Sequence, residues 1–221
     1  MRRAVSAGLS YMIRPIRAAG FVPPPWSCDA HCHIWGPIDR FPFASPRPYT
    51  PPERDKIAVA ALHARLGLER AVLVQPVVHG TDNRAMAADL LELEPVIDGL
   101  PVPFVIDHMG RIDAAAGLEQ PPFARLLALT ARENCWVKLS GADRISAASA
   151  PFRDAVPFAR ALLAAAPDRV LWGTDFPHPL PRHAVQEDRD LLDLLPLLGD
   201  AVQLRKLLVD NPARLYGFDP C

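Results

Sequence analysis

Polar side chains at every second position mark the segment CDAHCHIW, near the start of the 221-residue chain. Residues two apart in a β-strand point to the same face of a sheet, so Asp29, His31 and His33 would share one face. A buried imidazole without a partner is costly, and imidazole binds metals and transfers protons near neutral pH. The spacing therefore predicts a reaction site at the end of a strand, with satisfied core histidines as the alternative.

Three more groups of polar residues follow predicted strands. They are His79 with GTDN at 80–83, the run from Asp107 to Arg111, and Gly173-Thr174-Asp175 with His178. The pair of histidines on one strand, His108 on another and Asp175 form the nitrogen and oxygen set of a mononuclear zinc site or of a metal-free acid and base site. The simpler interpretations are that Asp175 caps a helix, that Arg111 is a solvated turn residue, and that His63 lies on the surface.

Five apolar or β-branched segments show little alternation, which predicts strands buried on both faces. They span 27–34, 70–77, 102–107, 135–140 and 169–174. Helical patterns lie between and after them, near 82–94, 121–133, 157–166, 187–197 and 201–209. The alternating order predicts parallel strands joined by right-handed crossovers, so that polar residues at the carboxyl ends of the strands meet at one rim.

The segment TPPE at 50–53 predicts the start of one more helix, which would continue to Leu66. Thr50 would be its N-cap, Pro51 would occupy the first helical position and Glu53 would complete a capping box.

This order predicts an α/β fold of the TIM-barrel type with parallel (β/α) units, but with a shortened or incomplete barrel. A closed barrel has eight units in about 250 residues, whereas we find about five. The shortage falls after the second strand, where the chain runs from Met86 into LLELEPVIDGLPVPFVIDH without room for further strands. An incomplete barrel leaves two unpaired edges, which predicts either a homo-oligomer that covers them or aggregation.

Composition predicts one globular domain, which we place at 27–221, because 50% of residues are hydrophobic and 22% are charged. Residues 1–26 contain four arginines and no acidic residue, which predicts a poorly ordered basic arm. A net charge of −1 gives no reason to expect nucleic acid or a membrane as partner. The four cysteines include no CxxC pair, which favours a reduced, cytoplasmic compartment.

Several motifs together resemble those of the amidohydrolase superfamily, in its branch of small barrels. The likeness is greatest to 2-pyrone-4,6-dicarboxylate lactonase and its relatives, and it rests on DAHCHIWGP, FPFASPRPYTP, HGTDNRAM, VIDHMGR, VLWGTDFPHP and LLVDNPARLYGF. It covers residue 26 to the end and omits an internal segment of the family that includes an arginine-rich strand. Leu180 and Val77 also depart from the family pattern.

The resemblance implies that Asp175 is the general base that activates water, while His31, His33 and His108 polarise the carbonyl of a lactone. It implies that four further residues anchor the carboxylates of the substrate: Tyr49, Arg111, Arg144 and His178. The lactonase branch is understood to need no metal. Other amidohydrolases of this shape hold a divalent metal such as Zn²⁺ or Mn²⁺, for which His31, His33 and Asp175 are the matching residues.

The leading hypothesis from the sequence is a hydrolase that opens a cyclic ester of an anionic, aromatic-derived acid. One alternative is a metal-dependent amidohydrolase or decarboxylase on the same scaffold. Another is an inactive remnant that serves as a binding module, because the barrel is short. The expected partner is a small anionic molecule.

Overall fold

A computed structural model describes residues 20–35, 38–39, 43–47, 49–74, 102–179, 185 and 187–219. Within these ranges lie five strands: β1 (Cys28–Cys32), β2 (Arg70–Leu73), β3 (Phe104–Ile106), β4 (Cys135–Lys138) and β5 (Val170–Leu171). Each strand lies inside one of the five predicted segments, so the prediction of their positions is confirmed. Of the predicted basic arm at 1–26, residues 1–19 lie outside the described residues.

The strands form an incomplete barrel wall. β1 pairs with β2, and β3, β4 and β5 pair in that order, all in parallel. Backbone hydrogen bonds from Ala30 to Trp172 (2.9 Å) and from Asp175 to His31 (2.8 Å) then join the two sheets, where the chain after β5 runs beside β1. The spatial order is therefore β2-β1-β5-β4-β3, and within the described ranges β2 and β3 each pair on one side only. The expected homo-oligomer stays a prediction.

Gly173 permits the close approach of the chain after β5 to β1. A Cβ atom at this position would lie 2.5 Å from the backbone nitrogen of His31, which is closer than real Cβ atoms come to a backbone atom. Any side chain here would push the two strand ends apart.

Seven α-helices lie in the described part of the chain. They are α1 (Lys56–Leu66), α2 (Pro121–Leu129), α3 (Ala142–Ile145), α4 (Val156–Ala165), α5 (Asp188–Leu192), α6 (Ala201–Arg205) and α7 (Asn211–Tyr216). A π-helical turn, Lys206–Asp210, joins α6 to α7, and 3₁₀ turns lie at Ala114–Ala116, Arg153–Ala155 and Leu195–Leu197. At His108–Arg111 the chain makes a turn in which all four residues have positive φ angles. The helices predicted near 121–133, 157–166 and 201–209 are confirmed, and the one near 82–94 lies outside the described residues.

The helix predicted at 187–197 ends early. α5 stops at Leu192, and a separate 3₁₀ turn follows at Leu195–Leu197. Pro196 explains the break, because proline has no N–H for a helical hydrogen bond and its ring clashes with the preceding turn.

The start predicted for α1 is wrong by several residues. α1 begins at Lys56, and Asp55 is its N-cap because its Oδ1 accepts hydrogen bonds from the backbone of Ile57 and Ala58. Glu53 instead accepts from the backbone N–H of Ile38 at 2.8 Å, and Thr50 accepts from Arg47 at 2.8 Å. Both residues thus order the loop before the helix rather than its first turn.

The apolar faces of the helices cover the strands. Leu126 of α2 and Leu162 of α4 are fully buried in the same core as Val137 of β4 and Leu207. The three described cysteines, Cys28, Cys32 and Cys135, are buried and free. No helix in the described ranges is long and apolar enough to cross a membrane. The cytoplasmic location stays a prediction.

Candidate active site

Four predicted residues meet at the carboxyl ends of the strands. Nε2 of His33 lies 3.2 Å from Oδ1 of Asp175, and Nε2 of His31 and of His108 lie 3.6 and 3.8 Å from the same oxygen. His31 comes from β1, His33 follows it, His108 follows β3 and Asp175 follows β5. All four side chains are buried, and Asp175 is fully enclosed. Three imidazoles therefore surround one carboxylate oxygen.

Two of these residues have an unusual backbone conformation. Asp175 and His108 have φ angles of 58° and 53°, in the left-handed region that residues other than glycine seldom adopt. Such strain is typical of functional sites, where the fold holds a side chain in one direction.

The backbone carbonyl of Val74, the residue after β2, orients His33. Nδ1 of His33 lies 2.9 Å from the carbonyl oxygen of Val74. Because a carbonyl can only accept, Nδ1 carries a proton, and Nε2 either carries a second proton or offers a lone pair. Nε2 can thus donate to Asp175 or bind a cation.

Different groups orient His31 and His108. Nδ1 of His31 faces Nζ of Lys138 at 3.2 Å, with Oδ1 of Asp107 3.4 Å away. Nδ1 of His108 lies 2.9 Å from the hydroxyl of Ser140, and burial lowers the pKa of His108 to about 3. His108 is therefore neutral at physiological pH. No role was predicted for Lys138, although a charged residue within the apolar segment CWVKLS is a signal in the sequence.

Arg144 binds the second oxygen of Asp175. Its Nη2 and Nε lie 2.5 and 2.6 Å from Oδ2. Burial alone would raise the pKa of Asp175, but its interactions with His108, His33 and Arg144 hold this pKa well below its usual range. Asp175 is therefore ionised at neutral pH.

Asp29 stabilises the two chain segments that carry His31 and Asp175. It accepts hydrogen bonds from the backbone N–H of His31 (3.1 Å), from the N–H and hydroxyl of Thr174 (2.9 and 2.6 Å) and from Nε2 of His63 (3.0 Å). Asp29 thus ties β1 to the chain after β5 rather than entering the reaction space. The interpretation of His63 as a surface residue is wrong, because α1 turns its ring inward onto this carboxylate.

The residues predicted to anchor the substrate lie in different surroundings. Tyr49 packs its ring 6.3 Å from Trp35, which stacks over His33 at 6.4 Å. Arg111 lies on the exposed rim, close enough to Arg144 that partial desolvation and this second positive charge lower its pKa. Arg144 itself is engaged with Asp175.

His178 is partly buried and pairs with Asp188. Its Nε2 lies 2.8 Å from Oδ1 of Asp188, whose other oxygen binds Arg65 at 2.7 Å. Burial would lower the pKa of His178, but the contact with Asp188 and the charges of Asp143 and Asp175 raise it. Three predicted features, namely Val77, His79 with GTDN, and Leu180, lie outside the described residues.

The donor atoms also suit a metal ion. Nitrogen atoms of His31 and His33 and a carboxylate oxygen of Asp175 lie within 4.8 Å of one another, and all three residues are buried. Imidazole and carboxylate are the ligands that Zn²⁺ takes in catalytic sites with three protein ligands. The types and spacing of these ligand atoms therefore match a divalent cation as well as a metal-free reaction.

Comparison with known proteins identifies the family. The model of a protein family described as amidohydrolase matches residues 85–218. The chain belongs to the amidohydrolase family. The family resemblance predicted from the motifs is thereby confirmed.

Curated relatives of this amidohydrolase act on lactones by name. A 4-sulfomuconolactone hydrolase of Rhizobium radiobacter is 36% identical, across 97% of this chain and 94% of the relative. A 2-pyrone-4,6-dicarboxylate hydrolase of Comamonas testosteroni is 33% identical, across 87% and 90% respectively. The first alignment spans 292 positions, more than the 221 residues of this chain. Some residues of that relative therefore have no counterpart in this chain. This agrees with the prediction that an internal segment of the family is missing here.

A solved structure supports the fold. A crystal structure of an apo protein from Agrobacterium tumefaciens has a TM-score of 0.77 to this amidohydrolase at 24% identity, covering 90% of this chain and 98% of the other. The parallel strands and their helices thus form part of a TIM-barrel-like fold, as predicted.

Proposed function

We propose that this amidohydrolase hydrolyses the ring ester of a lactone that carries anionic groups. The observation that supports this most is the meeting of three imidazoles on one oxygen of Asp175. The named activities of the relatives add support, since 4-sulfomuconolactone and 2-pyrone-4,6-dicarboxylate are both cyclic esters with anionic substituents.

In the proposed reaction, Asp175 accepts a proton from a water molecule that attacks the lactone carbonyl carbon. The carbonyl oxygen becomes negatively charged as the new C–O bond forms, and N–H groups of the surrounding imidazoles stabilise this charge. The ring C–O bond then breaks, and the proton passes to the departing oxygen. The product is a ring-opened acid.

The anionic substituents would bind the positive side of the site. Arg111 stands at the exposed rim, and Arg144 lies deeper, at Asp175. Guanidinium groups suit carboxylate and sulfonate ligands, because they offer two parallel N–H donors. We propose that Tyr49 and His178 complete this anchoring wall.

A metal-dependent hydrolase or decarboxylase is the second candidate, and the orientation of His33 favours it. The hydrogen bond of Nδ1 to Val74 leaves Nε2 free to be a ligand. His33, Asp175 and His31 would hold the ion, which would supply a Lewis acid and an activated water when bound. Elemental analysis of the purified protein, with H33A as comparison, separates this candidate from the metal-free one.

The test of the proposed function is hydrolysis of 2-pyrone-4,6-dicarboxylate and 4-sulfomuconolactone by the purified protein and by Asp175→Asn. Loss of a general base lowers kcat by about 10²–10⁴-fold. Asp168→Asn is the matched control, because Asp168 pairs with Lys206 at 2.7 Å on the surface before β5, and we expect it to keep full activity. Equal rates for D175N and D168N would contradict the role of Asp175. A folded, monodisperse protein without activity on any anionic lactone would favour the binding module.

A further inference from the structure

Lys138 forms a buried triangle with His31 and Asp107. Its side chain is 5% exposed, and Nζ lies 3.2 Å from Nδ1 of His31 and 3.0 Å from Oδ1 of Asp107. The third side of the triangle, from Nδ1 of His31 to Oδ1 of Asp107, is 3.4 Å. An ammonium group in the core of a domain is rare unless it is paired. The reaction proposed above gives Lys138 no task.

The chemistry of the three groups determines where the proton of His31 resides. An ammonium group has three donors and no acceptor, so the ring nitrogen that faces it must present a lone pair. A neutral imidazole with a lone pair on Nδ1 carries its proton on Nε2. The contact from Nδ1 of His31 to Oδ1 of Asp107 is longer, at 3.4 Å, and the ammonium of Lys138, 3.0 Å from the same oxygen, is the nearer donor to it.

We infer that Lys138 is a positioning residue that fixes His31 as a hydrogen-bond donor at Nε2 and disfavours His31 as a metal ligand. Nε2 of His31 points into the site, 3.6 Å from Oδ1 of Asp175. A cation at this nitrogen would need its lone pair and would force the proton onto Nδ1, against the ammonium of Lys138. That the Nε2–H group of His31 assists lactone hydrolysis rests on the proposed function. The position of the proton on His31 does not depend on that function.

Asp107 gives this inference a measurable consequence. In Lys138→Met the ammonium is gone, and the carboxylate of Asp107 becomes the polar group nearest to Nδ1. The proton should then move to Nδ1 and leave the lone pair on Nε2. A carboxylate behind a histidine is the arrangement that orients metal-binding imidazoles, and such outer partners change metal affinity about 10–100-fold.

The experiment is ¹⁵N NMR of the histidine ring nitrogens in the metal-free protein, in the presence of chelator, with the His31 signals assigned by their loss in H31Q. We expect a protonated Nε2 and an unprotonated Nδ1 in the wild type, and the reverse in K138M. After removal of the chelator, K138M should bind Zn²⁺ about 10–100-fold more tightly than the wild type in calorimetry. Lys206→Met is the matched control, because it removes a lysine that binds an aspartate at 2.7 Å outside the site.

Asp107→Asn is the second variant, and it keeps Lys138. We expect it to retain the wild-type tautomer of His31, so the NMR test remains informative even if K138M does not fold. A proton on Nδ1 in the wild type would overturn the inference, and so would a folded K138M with an unchanged tautomer. Either result would leave the lactone assay unaffected, and a failed lactone assay would leave the tautomer result unaffected.

Discussion

His31 and His33 lie two residues apart, point at the same carboxylate oxygen, and have opposite surroundings behind their rings. On the β2 side, the carbonyl oxygen of Val74 requires a proton on Nδ1 of His33. On the β4 side, Nζ of Lys138 requires a lone pair on Nδ1 of His31. An HxH motif is therefore not a pair of equivalent ligands in this chain. The residue after β2 and the end of β4 give the two imidazoles different chemistry.

The largest expected difference between the two histidines is in the kcat values of their glutamine and asparagine variants. The amide nitrogen of glutamine lies where Nε2 of a histidine lies, and that of asparagine lies near Nδ1. We expect His31→Asn to lower kcat for lactone hydrolysis by about 10²–10³-fold, as for a lost oxyanion donor. His31→Gln should retain more activity than His31→Asn, because it still donates into the site.

The measurement is kcat for both His31 variants at one pH, with His33→Asn and His33→Gln as the matched pair. At position 33 the order should reverse, because asparagine can still donate to Val74. The same order at both positions would show that the two sides of the site are equivalent after all.

A smaller effect is expected at the junction that holds both histidines in place. Thr174→Val removes the hydroxyl that binds Asp29 at 2.6 Å but keeps the shape of the side chain. One oxygen of a fully buried carboxylate then loses a donor, which should cost about 1–3 kcal/mol in the free energy of unfolding. Urea unfolding measures this value.

Thr50→Val serves as the control for that variant. Thr50 is exposed, and its hydroxyl accepts a bond from Arg47, so the free energy of unfolding should change little. Equal losses in T174V and T50V would show that Asp29 does not depend on Thr174.

The sequence was most informative where chemistry and hydrophobic pattern coincide. His31, His33, His108 and Asp175 were all predicted, because polar residues stand out at the ends of apolar strands. The positions of the five strands followed from the same contrast. The ion pair between Arg144 and Asp175 could not be predicted, because the spacing of these two residues in the sequence does not indicate that they are in contact.

Other features depend on tertiary contacts that no local pattern contains. Asp55 and Thr50 are both good N-caps, and the docking of the loop before α1 decides between them. The role of Lys138, a charged residue in an apolar strand, becomes clear only when β1 and β3 place His31 and Asp107 beside it. The inward turn of His63 likewise depends on the packing of α1 against β1.

The most direct test of the unequal histidines is one NMR spectrum of the metal-free wild type in which the ring nitrogens of both residues are assigned. We predict that Nδ1 of His33 carries a proton and that Nδ1 of His31 does not. If Nδ1 is protonated in both rings, or in neither, the two sides of the site do not differ as described, and the roles derived for Val74 and Lys138 are wrong.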